Sequence, residues 1–206
     1  MNILILGGTG RVGREIVTLA LHDKHHVTVL VRTPGKIQLT DEQLTIIRGN
    51  VLNKEDIVRA MRGIDVVISA LSTDGSTTLS ENMPHIIEAM ENEGIKRIIS
   101  IGTAGILQSR TSPNLLRYQS SESKRKLTRA AEEHHKVYDL LKQSTLDWTI
   151  VCPTYLPDGE RLGKYRVERD FLPEDGIKIH VSDTAEFTYK QITSNDYIKS
   201  RVGIAY

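Results

Sequence analysis

The stretch Met1-Asn-Ile-Leu-Ile-Leu-Gly-Gly-Thr-Gly-Arg-Val-Gly13 decides the fold. Ile3 to Leu6 is an unbroken apolar run, as in a strand buried on both faces of a parallel sheet. Gly7, Gly10 and Gly13 follow at spacing three. Arg11 to His22 then reads as an amphipathic helix, with Val12, Ile16, Leu19 and Ala20 on one face. Strand, glycine turn and helix in this order open a dinucleotide-binding unit. Gly7 permits backbone angles closed to residues with a Cβ, so the chain can turn sharply off the strand. Gly10 lets a pyrophosphate lie against the backbone, and Gly13 lets the helix pack closely on the sheet. The free N–H groups at the helix start face the phosphates, with the helix dipole behind them. Thr9 adds a hydroxyl and Arg11 a positive charge.

The chain has 206 residues, enough for one sizeable core, and an ordinary composition for an α/β domain. A formal net charge of +1 offers no electrostatic footprint for nucleic acid or an anionic membrane. Cys152 is the single cysteine, so an intrachain disulfide is impossible and a reducing cytoplasm fits. No apolar stretch is long enough to cross a bilayer. Met1 runs straight into the first strand, which leaves no room for a signal peptide.

Apolar runs and helical patterns alternate beyond the opening. Strands are predicted at 27–31, 44–48, 66–70, 98–101 and 148–152, the last stopped by Pro153. Helices are predicted from Asn53, as cap, to Met61, from Pro84 to Glu93 with Gly94 closing, and from about Ser121 to Gln143. Alternating strands and helices imply right-handed crossovers and a Rossmann-like, doubly wound parallel α/β sheet in a single domain, 1–206. From Thr154 onward, 164–168 and 177–181 suggest a small hairpin or sheet extension, and Ser182 or Asp183 a cap for a last helix through Ile192. This extension, 154–206, is expected to complete the substrate pocket. Gln108 to Gln119 is the longest expected loop.

In an open parallel sheet the ligand lies at the carboxyl ends of the strands. That rule gathers Gly7 to Val12, Arg32 and Thr33, Asn50 and Val51, Leu71 to Thr73, Gly102 to Gly105 and Pro153 to Leu156 along one crevice. Arg32 is the most informative after the glycines. An acidic residue about 20 positions beyond the glycines would bind the 2′-OH of NAD. A guanidinium there attracts a 2′-phosphate instead and can pair with it through two N–H groups, so NADP is favoured and NAD is the alternative.

Several segments resemble a known family. Gly7-Gly-Thr-Gly-Arg-Val-Gly13, Val27-Thr-Val-Leu-Val-Arg-Thr33, Gly49-Asn-Val51, Leu146-Asp-Trp-Thr-Ile-Val-Cys-Pro153 and Ser182-Asp183 are similar, in order and spacing, to the atypical short-chain dehydrogenase/reductases. The chain most resembles the biliverdin-IXβ reductase/flavin reductase proteins and bacterial NADH-flavin reductases, with NmrA-like redox sensors as more distant relatives. The resemblance implies that Thr9 to Val12 hold a pyrophosphate, Arg32 and Thr33 the adenosine phosphate, and Asn50 and Val51 the adenine. It implies that Leu71, Ser72 and Thr73 border the nicotinamide ribose. It places Thr103 near the nicotinamide, His134 near the usual active-site lysine, and Tyr155 beside the substrate pocket, with Pro153 among the cofactor contacts.

One departure from the family pattern matters. The full family relies on a Tyr-x-x-x-Lys pair on the helix after the fifth strand, whose lysine lowers the tyrosine pKa. Tyr138 and Lys142 have that spacing but lie too close to Trp148; the usual positions fall on Ala130 and His134. A weak protein acid is compatible with hydride transfer to a flavin, for which water can supply protons. The expected function is therefore a cytoplasmic NADPH-dependent reductase of a flavin or similar conjugated small molecule, a monomer by default, with Thr103 and Tyr155 nearest the chemistry. Its rivals are an NmrA-like non-enzymatic NADP(H) sensor and a carbonyl reductase or epimerase using Tyr138/Lys142. No metal site is expected: His22, His25 and His26 have no cysteine or acidic cluster with them and read as a helix end. His134 and His135 read as surface neighbours of glutamates, Cys152 as packing, and Lys124-Arg-Lys126 as a solvated helix face.

Overall fold

The computed structural model describes residues 1–73, 75–123 and 127–206. Among them, eight strands form one sheet: β1 (Asn2–Leu6), β2 (His26–Val31), β3 (Leu44–Arg48), β4 (Val66–Ser69), β5 (Arg97–Ile101), β6 (Asp147–Pro153), β7 (Arg166–Arg169) and β8 (Ser200–Ala205). Their spatial order is β3-β2-β1-β4-β5-β6-β8-β7. All neighbouring pairs run parallel except β7, which is antiparallel to β8. The strand order reverses between β1 and β4, the topological switch point where a doubly wound sheet opens a crevice.

Each central strand sends alternate side chains to opposite faces, and both faces are covered. Leu4, Leu6, Val67, Ile98 and Ile150 pack under α2 (Lys54–Met61), α3 (Thr78–Glu93) and α4 (Arg129–Gln143). Ile3, Ile5, Ile68, Ile99 and Val151 pack under α1 (Arg11–His22) and α5 (Val181–Lys190). This double burial is why the strands are apolar without a polar alternation. The Asn53 cap is as expected: its side chain accepts from the Asp56 N–H at 2.8 Å. Gly94 closes α3 in the left-handed region at φ 73°.

Four expectations are corrected by tertiary contacts. First, α3 starts at Thr78, with Pro84 inside it. Glu133 of α4 takes the Ser80 N–H and hydroxyl, so a partner 53 residues away satisfies the first turn. Second, α4 begins at Arg129, not near Ser121. Glu122 folds back instead and accepts from the N–H groups of Arg110 and Thr111 and from the Arg117 guanidinium. The Lys124–Lys126 run lies outside the described residues. Third, β7 pairs with β8 rather than with 177–181, which makes one bridge, Lys178 to Tyr155. The strand β8 has no counterpart in the sequence reading, because Arg201 and Gly203 interrupt its apolar run. Arg201 is nonetheless buried: it bonds Asp170 and the Ile106 carbonyl and lies 4.4 Å over the Tyr138 ring. Fourth, α5 is capped at His180 and ends at Lys190, while Asp183 sits buried within its first turn.

No helix among the described residues is long and apolar enough to cross a membrane.

Candidate functional site

Gly7 leaves β1 at φ 83°, and a Cβ there would stand 2.5 Å from the Ala70 carbonyl oxygen at the end of β4. On Gly13 a Cβ would stand 2.2 Å from the Gly7 oxygen. The turn and the first turn of α1 therefore press together backbone to backbone. Gly10 is the helix N-cap, and the first turn of α1 carries no acidic side chain. Its leading N–H groups face outward under the positive end of the helix dipole.

A cleft of about 550 Å³ opens from this turn across the carboxyl ends of β1, β2, β3, β4 and β5. Of the expected cofactor residues, Gly7, Thr9, Gly10, Arg11, Val12, Arg32, Asn50, Val51, Leu71, Ser72, Thr73 and His134 line it. Three do not. Gly13 acts only through packing, Thr33 precedes a short 3-10 turn (Pro34–Lys36) outside the cleft, and Pro153 is buried as the last residue of β6. Among the described residues lining the cleft none is acidic, whereas Arg11 and Arg32 are cationic. A floor of main chain that admits no side chain, a helix start and two guanidinium groups form a site that fits a dinucleotide with anionic phosphates.

His134 sits at the far end of this cleft, and burial pushes its pKa down to about 4 despite the neighbouring Glu133. It is neutral at pH 7 and can exchange hydrogen bonds, but it carries no charge with which to acidify a phenol as a lysine would. Arg11 shows a contact that sequence spacing cannot reveal: its guanidinium donates to the Leu156 carbonyl at 3.0 Å and to Asp158 at 3.2 Å. The segment after β6 is thereby tied to the glycine turn.

A second cleft, about 350 Å³, adjoins the end of β5, where Gly102 lines the first cleft and Thr103 the second. Its walls include Gly105, Arg117, Tyr118, Thr154, Tyr155 and Ile177. Tyr155 is 61% exposed and Ile177 76%, an apolar lip on the opening. The Thr103 hydroxyl accepts weakly from the Gly105 N–H at 3.4 Å.

Tyr138 and Lys142 line neither cleft. Tyr138 packs edge-on against Trp148, near the amino end of β6, whereas the clefts lie at the carboxyl ends of the strands. Lys142 stands over that tyrosine ring at 5.8 Å. The pair is a packing feature of α4. Cys152 is fully buried and its thiol is pushed up to about 12 by burial, which suits packing rather than nucleophilic chemistry. Among the described residues no three His, Cys, Asp or Glu side chains gather as metal ligands.

Residues 7–195 match the NAD(P)H-binding family. The chain is 28% identical to the uncharacterized protein YwnB of Bacillus subtilis over 82% of its own length and 80% of that protein. It is 34% identical to the photosystem II assembly factor Ycf39 of Synechocystis over 48% of its length, and the match spans only 32% of Ycf39. Among solved structures, a protein from Bacteroides thetaiotaomicron assigned as an epimerase superposes with TM-score 0.86 at 26% identity, covering 100% and 96% of the two chains. A protein from Streptococcus pneumoniae assigned as an NADH-flavin reductase superposes with TM-score 0.84 at 24% identity, covering 100% and 99%, a likeness of fold. The chain belongs to the NAD(P)H-binding family, and its sheet is of the Rossmann type.

Proposed function

We propose that the chain is a reductase that favours NADPH and passes hydride to a flavin or another planar conjugated acceptor. The observation that carries this reading is the junction of the two clefts at Gly102 and Thr103. A dinucleotide held along the first cleft by the glycine turn, Arg32 and Asn50 would end beside the second, where a flat acceptor can lie against Tyr155 and Ile177. When bound, the reduced nicotinamide supplies the hydride. The protein's part is to hold two rings in contact and to keep competing reactions out. Residues 154–206 complete the pocket in this reading: Leu156 reaches the first cleft, and Thr154, Tyr155 and Ile177 the second. The chain then acts as one unit, a monomer in the cytoplasm, on a small molecule. Tyr138 and Lys142 sit outside both clefts, which favours this reading over a carbonyl reductase or epimerase built on that pair.

The test is NADPH oxidation with FMN, FAD, riboflavin, biliverdin and simple quinones. Turnover with at least one planar acceptor is the expected result. Tight NADPH binding with no turnover on any of them would replace the reductase by a sensor.

Arg32 tests cofactor choice separately. It is exposed on the cleft and has no ion-pair partner among the described residues, so its guanidinium is available to a 2′-phosphate. Arg32→Asp should weaken NADPH by about 3 kcal/mol, roughly 10²-fold, through the loss of charge-assisted bonds. NADH affinity should hardly fall. Equal losses for the two nucleotides, measured by fluorescence titration, would remove Arg32 from the phosphate site.

A further inference from the structure

We propose that Tyr118, His135 and Asp139 form a proton relay serving the second cleft, so that the protein supplies the proton that accompanies the hydride. The proposal rests on the reductase reading and identifies the acid that Thr103 and Tyr155, with no base behind them, do not provide.

Tyr118 belongs to the 3-10 turn Arg117–Gln119 and forms part of the cleft wall. Its hydroxyl oxygen is 3.0 Å from His135 Nδ1. His135 lies one helical turn after Ala131, another wall residue, and its Nε2 is 3.6 Å from Asp139 Oδ2 one turn further on. The hydroxyl of a wall residue, an imidazole and a carboxylate thus stand in sequence, the last two on α4. The imidazole is held in place by an edge contact with Tyr118 at 5.8 Å and by stacking on Tyr138 at 6.4 Å.

The hydrogen-bonding capacity of the phenol decides the direction. Its oxygen has two lone pairs and one hydrogen. Gln119 Nε2 donates to it at 3.3 Å. When His135 is protonated, with Asp139 holding the imidazolium, Nδ1–H donates into the second lone pair. The O–H then has no remaining acceptor among the described residues and is free for a ligand in the cleft. Burial raises the Tyr118 pKa, with Asp139 and Glu132 adding to the rise against the Gln119 bond, so the phenol keeps its proton at neutral pH.

The acceptor gains a hydride, with its two electrons, from NADPH, and the anion so formed needs one proton. The Tyr118 O–H bond breaks as the new bond to the acceptor forms. The phenolate oxygen takes the proton from His135 Nδ1, leaving a neutral imidazole. The partly exposed His135 ring then regains a proton from water. The acceptor has gained one hydride and one solvent proton, and NADP⁺ leaves.

Tyr118 is the catalytic residue of this scheme; His135 and Asp139 act through it. Tyr118→Phe should lower kcat for quinone reduction about 10²-fold, with the KM for NADPH unchanged. The wild type should show a solvent deuterium isotope effect that Tyr118→Phe lacks. His135→Ala should recover turnover with added imidazole, a response that a packing role would not give. Lys142→Ala, outside both clefts, is the control and should turn over normally. Nitrogen NMR of the histidines gives a readout without turnover: the His135 Nδ1 resonance should move in Tyr118→Phe. Wild-type turnover in Tyr118→Phe, or an unmoved His135 resonance, would overturn the relay while leaving the reductase intact. A wild type that reduces no acceptor would overturn both.

Discussion

Gly13→Ala is expected to destabilise the fold by about 2–3 kcal/mol through overpacking and to weaken NADPH binding on the order of 10²-fold. The added methyl would meet the Gly7 oxygen at 2.2 Å, the Gly7 carbonyl carbon at 2.8 Å and Gly8 Cα at 3.1 Å. All three are backbone atoms of the turn itself, so no flexible side chain can yield. The first turn of α1 has to lift from β1, and its N–H groups move out of the position proposed to hold the phosphates. The same shift loosens Val12, Ile16 and Val17, which pack on the buried face of the sheet. Thermal melting and NADPH fluorescence titration measure the two effects. Gly35→Ala is the matched control, since a Cβ there meets nothing within 4 Å. If Gly13→Ala melts and binds like Gly35→Ala, the backbone contact at Gly13 does not constrain the turn.

Asp183→Asn should have the other large effect, on stability. The carboxylate is completely buried and accepts from the Leu162 N–H at 3.0 Å, the Gly163 N–H at 2.8 Å and the Tyr206 hydroxyl. It ties the segment after β6, the start of α5 and the last residue of the chain to one point. Burial opposes its ionisation, but the three donors outweigh this and hold its pKa below the ordinary carboxylate value. An amide presents one N–H₂ group to a backbone N–H, so at least one donor is left unpaired. The expected cost is about 3 kcal/mol, since bonds to charged groups are worth roughly 1.5–3 kcal/mol each and water recovers part. For a chain of this size that lowers Tm by roughly 6–12 °C. The sign of the pH dependence follows from the depressed pKa. The stabilisation is fully present above the unfolded pKa near ~4 and is lost as pH falls through the lower folded value. The gap between wild type and Asp183→Asn should therefore be widest at neutral pH and close in acid. A gap that stays constant from pH 7 down to unfolding in acid would show that the charge of Asp183 is not what holds the loop.

The core of the fold is legible because a doubly wound sheet imposes local signals. Strands buried on both faces must be apolar throughout, and the helices between them must be amphipathic, so β1 to β6 and α1 to α3 announce themselves in short windows of sequence. The glycine turn is legible for the same reason, since its backbone geometry excludes side chains where Gly7 and Gly13 stand. Arg32 is readable as a charge at a strand end, because the ends of parallel strands are where this fold binds ligands.

The unread parts depend on distant partners. The strand β8 hides behind Arg201, whose burial is tolerable only once Asp170, the Ile106 carbonyl and the Tyr138 ring surround it. The start of α3 waits on Glu133, and the end of the loop before α4 waits on Glu122. Arg11 reaches Asp158 across the whole fold. His134 and His135 make the sharpest case. They are sequence neighbours and read alike, yet one lines the first cleft and the other bonds Tyr118 at the wall of the second. A helix turns about 100° per residue, so adjacent side chains look in different directions. Sequence by itself determined β1 to β6, the glycine turn and the crevice at the carboxyl ends of the strands, because each is set by local backbone geometry and burial. Only the tertiary structure decided which polar side chains meet there. Those meetings join residues tens of positions apart, and no local rule links the charges and hydrogen bonds they share.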